Sequence, residues 1–317
     1  MNDLRSRAGI VIPVFNQLFF TRVCLLALEQ VRGGAEVVVV DNGSTDGSAE
    51  FLAGWHDPEA GRRWLPQPEN LGFAAGCNAG AAASDREFVV FLNNDTFPLE
   101  GWLSELLVPF EEDPAVKVTG SRLLYPSGRI QHAGVAFNAL GPHHIFVGLP
   151  GSFPPALVRR DYQVVTGAAL AIRHHEFDRL GGFDTGYFNS FEDVDLCLSV
   201  RRDGGRVVYV PTSVAYHFES MTEGRLDPSD MRNYQLFMDR WGSVFARDID
   251  ELLEQARSEG HDLSDRAPSR REVVDQQRRV EELARRLDQL RLALRIRPRR
   301  AALRAGNALR RLVRRRR

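Results

Sequence analysis

The chain has 317 residues, 43% hydrophobic and 26% charged, which excludes a collagen-like or wholly disordered polymer and leaves room for one large domain with an appendage. No apolar run approaches the ~20 residues of a bilayer crossing, and the first residues lack a signal-peptide core. Cys24, Cys77 and Cys197 stand too far apart for a disulfide framework or a zinc motif, so a reducing cytoplasm is expected. The formal net charge of −1 hides a split, because from Gln289 onward there are 12 Arg and no acid, while the rest carries 29 basic and 42 acidic groups.

In chain order, residues 9–14 form a short apolar run ending near Pro13 and Asn16, and residues 18–30 have helical apolar spacing. Residues 35–40 are a β-branched run closed by Asp41, followed by the turn-forming Asn42-Gly43-Ser44 and a helix over 46–55. The small-residue segment 72–83 predicts a helix whose Gly72, Gly76 and Gly80 suit close packing. Residues 88–92 predict a buried strand ending in Asn93-Asn94-Asp95, then a helix over 99–112 and a strand over 116–124. Continuous apolar strands separated by helices indicate an α/β protein with a mostly parallel sheet covered on both faces. Residues 125–161, with five prolines, read as loop-rich structure shaping a cleft. Strands over 164–172 and 207–210 flank a helix over 191–202 with an acidic start, and after Trp241 the strands stop.

Polar residues follow the strands. Asp41, Asp95 and His217 each lie just past an apolar run, and in open α/β sheets ligands bind at the carboxyl ends of strands. The first turn, Pro13-Val14-Phe15-Asn16, lacks the Gly-rich dinucleotide fingerprint, which disfavours a nicotinamide dehydrogenase. The pairs His143-His144 and His174-His175 are expected as loop or surface residues, because adjacent histidines do not share a helix face.

The segments at 10–16, 38–47 (VVVDNGSTDG), 70–80 (NLGFAAGCNAG), 91–96 (FLNNDT), 181–184 (GGFD) and 191–197 (FEDVDLC) together resemble family 2 glycosyltransferases, over roughly 9–241. Within that family the pattern is most similar to rhamnosyltransferase-like members acting on bacterial cell-surface polysaccharides. The resemblance implies a GT-A, Rossmann-like fold and inverting transfer of a sugar from a dTDP- or UDP-sugar, dTDP-rhamnose among them, to a hydroxyl of a glycan or lipid-linked acceptor. It further implies that Pro13, Val14, Asn16, Asp41, Gly72, Asn78 and Asn94 border the donor, and that Asp95 and His217 ligate Mg²⁺ or Mn²⁺. Asp193 would be the general base, with Glu192, Asp195 and Trp102 as acceptor contacts or supports, and Phe183 and Tyr187 lining the cleft or packing in the core. One departure is Asn93, which stands where the family's metal motif often has a first Asp. The rival readings are a sugar nucleotidyltransferase, which would carry a Gly-rich basic loop absent here, and a non-catalytic glycan- or membrane-binding protein.

Residues 1–245 are expected as the catalytic domain and 246–317 as a helical extension. Val273, Val280, Leu283, Leu287, Leu290 and Leu294 fall at a/d positions of a short coiled coil, which would make a homo-oligomer or pack back on the domain. Beyond Pro298, leucines alternate with arginines up to the final Arg317, a basic amphipathic arm suited to the anionic inner face of the plasma membrane. Nucleic acid is the less favoured partner, since the arm has almost no aromatic residues to stack bases.

Overall fold

A computed structural model describes residues 3–218 and 228–264; the heptad segment and the arginine arm lie outside them. The elements in order are β1 (Ala8–Val14), α1 (Leu18–Val31), β2 (Glu36–Asp41), α2 (Ser48–Trp55), β3 (Arg62–Pro66), α3 (Gly72–Ala82), β4 (Phe88–Leu92), β5 (Thr96–Pro98), α4 (Trp102–Glu112) and β6 (Val116–Leu124). They continue with β7 (Ile130–His132), β8 (Val135–Asn138), β9 (Gly141–His144), β10 (Arg160–Asp161), β11 (Ala169–Arg173), α5 (His174–Leu180), α6 (Glu192–Arg202), β12 (Arg206–His217), α7 (Pro228–Trp241) and α8 (Ile249–Ser258).

The main sheet has the order β10-β12-β6-β11-β4-β1-β2-β3, with β5 added to β12 and β7 to β6. β3, β2, β1 and β4 are mutually parallel, β11 runs antiparallel between β4 and β6, and β12 is parallel to β6. The long strands other than β11 therefore point the same way, and their carboxyl ends share one edge. Strand side chains alternate between two cores, which is why the strands read as continuous apolar runs. Ile10, Ile12, Val37, Val39 and Val90 pack with α1 and α4, while Val11, Val38, Val40, Val89 and Phe91 pack with α3 and α6. Fully burying one such side chain contributes roughly 1.5–3 kcal/mol.

α3 lies unusually close to the sheet. A Cβ on Gly80 would stand 2.3 Å from a Val11 methyl, and one on Gly76 would stand 2.8 Å from the Asn42 amide. The small-residue face expected from the sequence is thus a packing face. All three cysteines are buried thiols: Cys24 on α1, Cys77 on α3 and Cys197 on α6.

Several elements differ from expectation. β3 has a polar, half-buried sequence and carries no apolar run to announce it. Residues 125–161 include four short strands, β7 to β10. The strand expected over 164–172 begins only at Ala169, because Val164 bridges to Val135 and the Gly167 amide turns to Asp193. β12 continues past 210 to His217 through a register shift between Val210 and Val214. The stretch at the start of the expected extension lies against β8: Asp248 accepts from the Phe137 amide and the Gln163 side chain, both at 2.8 Å.

Candidate active site

The parallel half places one group of residues. Val14 pairs with Asp41 at the ends of β1 and β2, and the Val14 carbonyl accepts from the Asn42 amide at 2.7 Å. The loops beyond fold onto each other. Asn16 Oδ1 accepts from the Thr45 amide and its own amide donates to Ser44 Oγ, both at 2.8 Å, while Asp41 Oδ1 accepts from the Ser44 amide at 3.0 Å. Asn16 and the following Gln17 both have left-handed backbone, with φ of 58° and 62°. Gly72, at the first turn of α3, receives the Asn42 side-chain amide on its carbonyl at 3.2 Å.

A second group forms where β12 meets β5. His217 pairs with Thr96, and the Phe218 amide donates to the Asp95 carbonyl at 2.9 Å, so two distant segments deliver side chains to one point. His217 Nε2 lies 3.0 Å from Asp95 Oδ1 and 3.4 Å from Asn93 Nδ2, and Asp95 is only 5% exposed. His217 Nδ1 lies 2.7 Å from Gln131 Oε1. An amide oxygen accepts, so Nδ1 carries a proton, and Nε2 is the ring nitrogen turned towards Asp95. Asn93 Oδ1 is buried beside them with no hydrogen-bond partner.

The donor set fits a hard divalent cation. A carboxylate oxygen and an imidazole nitrogen 3.0 Å apart match two neighbouring ligands on an ion with bonds of ~2.1 Å, and the orphaned Asn93 oxygen adds an acceptor. Among the described residues no group of three or more His, Cys, Asp and Glu converges, so the remaining ligands of such an ion would be water and substrate oxygens.

The third group starts α6. Ser190 and Phe191 are both left-handed at φ 72°, and they precede Glu192 and Asp193 in the helix's first turn. Asp193 Oδ2 accepts from the Gly167 amide at 2.6 Å and Oδ1 from the Val194 amide at 2.8 Å. Burial pushes the Asp193 carboxyl up, and these two amides pull it part of the way back. Burial also holds Glu192 well above the usual carboxylate range, the neighbouring Asp193 charge adds to it, and Glu192 Oε2 has no partner. Of the pair, Asp193 is therefore the one that stays ionised while Glu192 takes the proton.

Asn93, Asp95, His217, Glu192 and Asp193 line one cleft of about 640 Å³, walled by Phe73, Tyr125, Gln131, Pro142, His144 and the 164–168 segment. Four residues expected at the site point elsewhere. Trp102 is fully buried under the opposite face of the sheet, with Nε1 donating to Ser121 Oγ at 2.9 Å. Asn78 makes both of its amide bonds to the Phe183 backbone, at 2.8 and 2.9 Å, so it pins the GGFD turn and does not border the strand-end edge. Asp195 accepts from Trp241 Nε1 at 2.7 Å and Arg240 at 2.8 Å, tying α6 to α7. Asn94 turns to Thr21 on α1 at 2.9 Å. Phe183 and Tyr187 are core residues.

Gln131, Thr166 and Gly167 have no local signal in the sequence, because each acts through a bond to a residue far away in the chain. Of the histidine pairs, His143, His144 and His175 are exposed as expected and His174 is half-buried, though they sit on β9 and α5 and not in loops. His144, on β9, lies 2.9 Å from Nδ1 of the buried His132, whose imidazole burial keeps well below its usual pKa, and His174 opens α5 against the Arg86 carbonyl at 2.9 Å.

The profile of the family described as glycosyl transferase family 2 matches residues 9–139. The O-antigen biosynthesis protein RfbC of Myxococcus xanthus is 34% identical over 240 residues, covering 73% of this chain and 18% of that protein. The N-acetylglucosaminyl-diphospho-decaprenol L-rhamnosyltransferase of Mycobacterium tuberculosis (strain ATCC 25618 / H37Rv) is 28% identical over 216 residues, covering 61% of this chain and 69% of that one. The chain spans less than half the length of several curated relatives, including 28% of a Sinorhizobium fredii protein and 42% of a mycobacterial glycosyltransferase. Among solved structures, GalNAc-T7 with UDP, GalNAc and Mn²⁺ superposes with a TM-score of 0.62 at 16% identity, over 80% of this chain and 54% of that one. Sequence and architecture agree: residues 9–139 carry the glycosyl transferase family 2 match, and the fold that holds them is GT-A.

Proposed function

We propose that the protein is an inverting glycosyltransferase that uses a divalent cation and a nucleoside diphosphate sugar, with deoxythymidine or uridine as the base and rhamnose as one candidate sugar. The observation that carries this reading is that Asp193 and the Asp95–His217 pair open into the same cleft. Asp41 and the Val14–Asn16 turn, on the same edge of the sheet, would hold the nucleoside, with the Asp41 carboxylate accepting from base or ribose. Asp95 and His217 would hold the cation, which when bound neutralises the diphosphate and stabilises it as it departs. Asp193 takes the proton of the acceptor hydroxyl while that oxygen attacks the anomeric carbon, from the face opposite the leaving group. A carboxylate raised by burial is a stronger base than a solvated one, and a positioned base contributes about 10²–10⁴-fold.

RfbC is named for O-antigen biosynthesis and the mycobacterial protein for rhamnosyl transfer to N-acetylglucosaminyl-diphospho-decaprenol, which supports a glycan or lipid-linked acceptor here. Among the described residues no helix is long and apolar enough to cross a membrane. The arginine arm would instead hold the enzyme at an anionic membrane face, and co-sedimentation with phosphatidylglycerol vesicles, lost on removing residues 298–317, tests that part. The main test is release of nucleoside diphosphate from a panel of dTDP- and UDP-sugars with Mn²⁺ and candidate glycan acceptors. Release that falls away in both Asp193→Asn and Asp95→Ala is expected. A protein that binds nucleotide yet releases none from any donor overturns the assignment.

A further inference from the structure

Asn233, on α7, is 1% exposed, and its Nδ2 donates to the main-chain carbonyl of Asn189 and reaches that of Ser190 at 3.4 Å. The first carbonyl precedes the left-handed Ser190–Phe191 pair and the second joins its two residues, and the pair leads into Glu192 and Asp193. Side-chain-bearing residues rarely adopt such backbone, and two in succession persist only where the surroundings over-determine them. The surroundings do so from two sides. On the α3 side the Phe73 amide donates to the Phe188 carbonyl at 2.9 Å and to Asn189 Oδ1 at 3.0 Å, and Gly72 leaves no room for a Cβ, which would stand 2.5 Å from the Phe188 oxygen. On the α7 side the Phe191 ring stacks on Phe237 with centroids 5.1 Å apart, and Asn233 supplies the polar half of the clamp. No side chain caps the start of α6. The direction in which its first turn presents Asp193 is therefore set by this turn and by the Gly167 amide.

We propose that Asn233 is a positioning residue for Asp193, holding the Ser190–Phe191 backbone in the left-handed form that aims the carboxylate into the cleft. The inference rests on Asp193 being the base, and it adds a residue on a helix that contributes no described side chain to the cleft. Asn233 acts on the base and leaves the donor end alone, so its loss should appear in kcat and not in donor KM.

The test compares wild type with Asn233→Asp, which keeps the size but sets a carboxylate against two carbonyls, and with the neutral Asn233→Ala in case the charge prevents folding. Turnover of UDP- and dTDP-sugars with Mn²⁺ and amide hydrogen exchange over 188–193 are measured together. The expected result is a kcat lower by about 10²-fold with donor KM within about threefold, as for a misplaced catalytic group, together with faster exchange confined to that turn. The thermal shift produced by UDP with Mn²⁺ should persist. Unchanged kcat overturns the proposal, and so does a loss shared equally between kcat and KM. If wild type turns over no nucleotide sugar, the functional reading fails on its own. The exchange comparison then decides the clamp, and equal exchange in variant and wild type overturns it.

Discussion

Val14 and Asp41 are carried by the ends of β1 and β2, which pair in continuous parallel register, and Asp95 by the turn just beyond β4, whereas Asp193 is carried by a turn of two left-handed residues held between α3 and α7. The first arrangement is the by-product of a rigid sheet, since apolar strands in register leave their polar ends side by side. The second is assembled from side-chain-to-backbone bonds between segments far apart in sequence. The difference teaches that one sheet edge can carry a wall that tolerates local change and a wall that a single lost bond can disturb.

Asp193→Asn tests the second wall most directly. Turnover should fall by about 10²–10⁴-fold while the UDP–Mn²⁺ thermal shift is retained. Loss of nucleotide binding in this variant would show that the two walls are not separable. Burial lifts the Asp193 carboxyl, so the acid limb of the rate profile should lie above the ordinary aspartate range, and the activity lost there should return as pH rises. A limb near the value of a solvated aspartate would contradict that.

At the metal end, Gln131→Leu removes the acceptor that fixes the His217 tautomer. Mn²⁺ affinity, read by calorimetry with UDP present, is expected to weaken by about 10–100-fold, as when other outer partners of metal-bound histidines are removed. Unaltered affinity would mean that the imidazole is oriented by Asp95 and Asn93 alone.

The sheet beneath offers a third comparison. Gly80→Ala forces a methyl against Val11 and should cost about 1–3 kcal/mol in denaturant unfolding, since the backbone on both sides is fixed. A stable Gly80→Ala protein would show that α3 can move away from β1.

The smallest expected effect concerns Glu192. Its carboxyl titrates higher folded than unfolded, so in the intervening pH range the folded protein holds a proton that the unfolded chain has released. Stability therefore declines as pH rises through that window, and Glu192→Gln should unfold at a higher temperature than wild type at neutral pH. The advantage should vanish below about pH 4, where both forms are protonated. A stabilisation that is equal at all pH values would point to packing and not to charge.

The parts legible in the sequence were those made by local pattern. The runs at 35–40 and 88–92 announced β2 and β4 within a residue, because a strand buried on both faces must be apolar throughout. The strand-end logic put Asp41, Asp95 and His217 on one edge, and the recurrence of Gly72, Gly76 and Gly80 foretold a close-packed helix. What escaped was decided by partners remote in the chain. Val164 and Val165 have strand composition, yet Gly167 is claimed by Asp193, so pairing starts later. Asn78 resembles a donor contact until its amide is seen on Phe183, and Trp102 resembles a cleft aromatic until Ser121 receives its N–H inside the core. β3 was illegible for the opposite reason, because an edge strand covered on one side has no need of an apolar run.

The buried thiols have a practical consequence. Cys24 sits under the Asn93–Thr96 loop, Cys77 in the helix that meets β1, and Cys197 in the helix that carries Asp193, and burial pushes the Cys24 thiol up to about 12. In the native state none offers a thiolate to an alkylating reagent. Labelling of each cysteine, followed by mass spectrometry, would therefore report the opening of the wall above it against a silent background. A single surface cysteine introduced elsewhere would be a unique attachment point for a fluorophore.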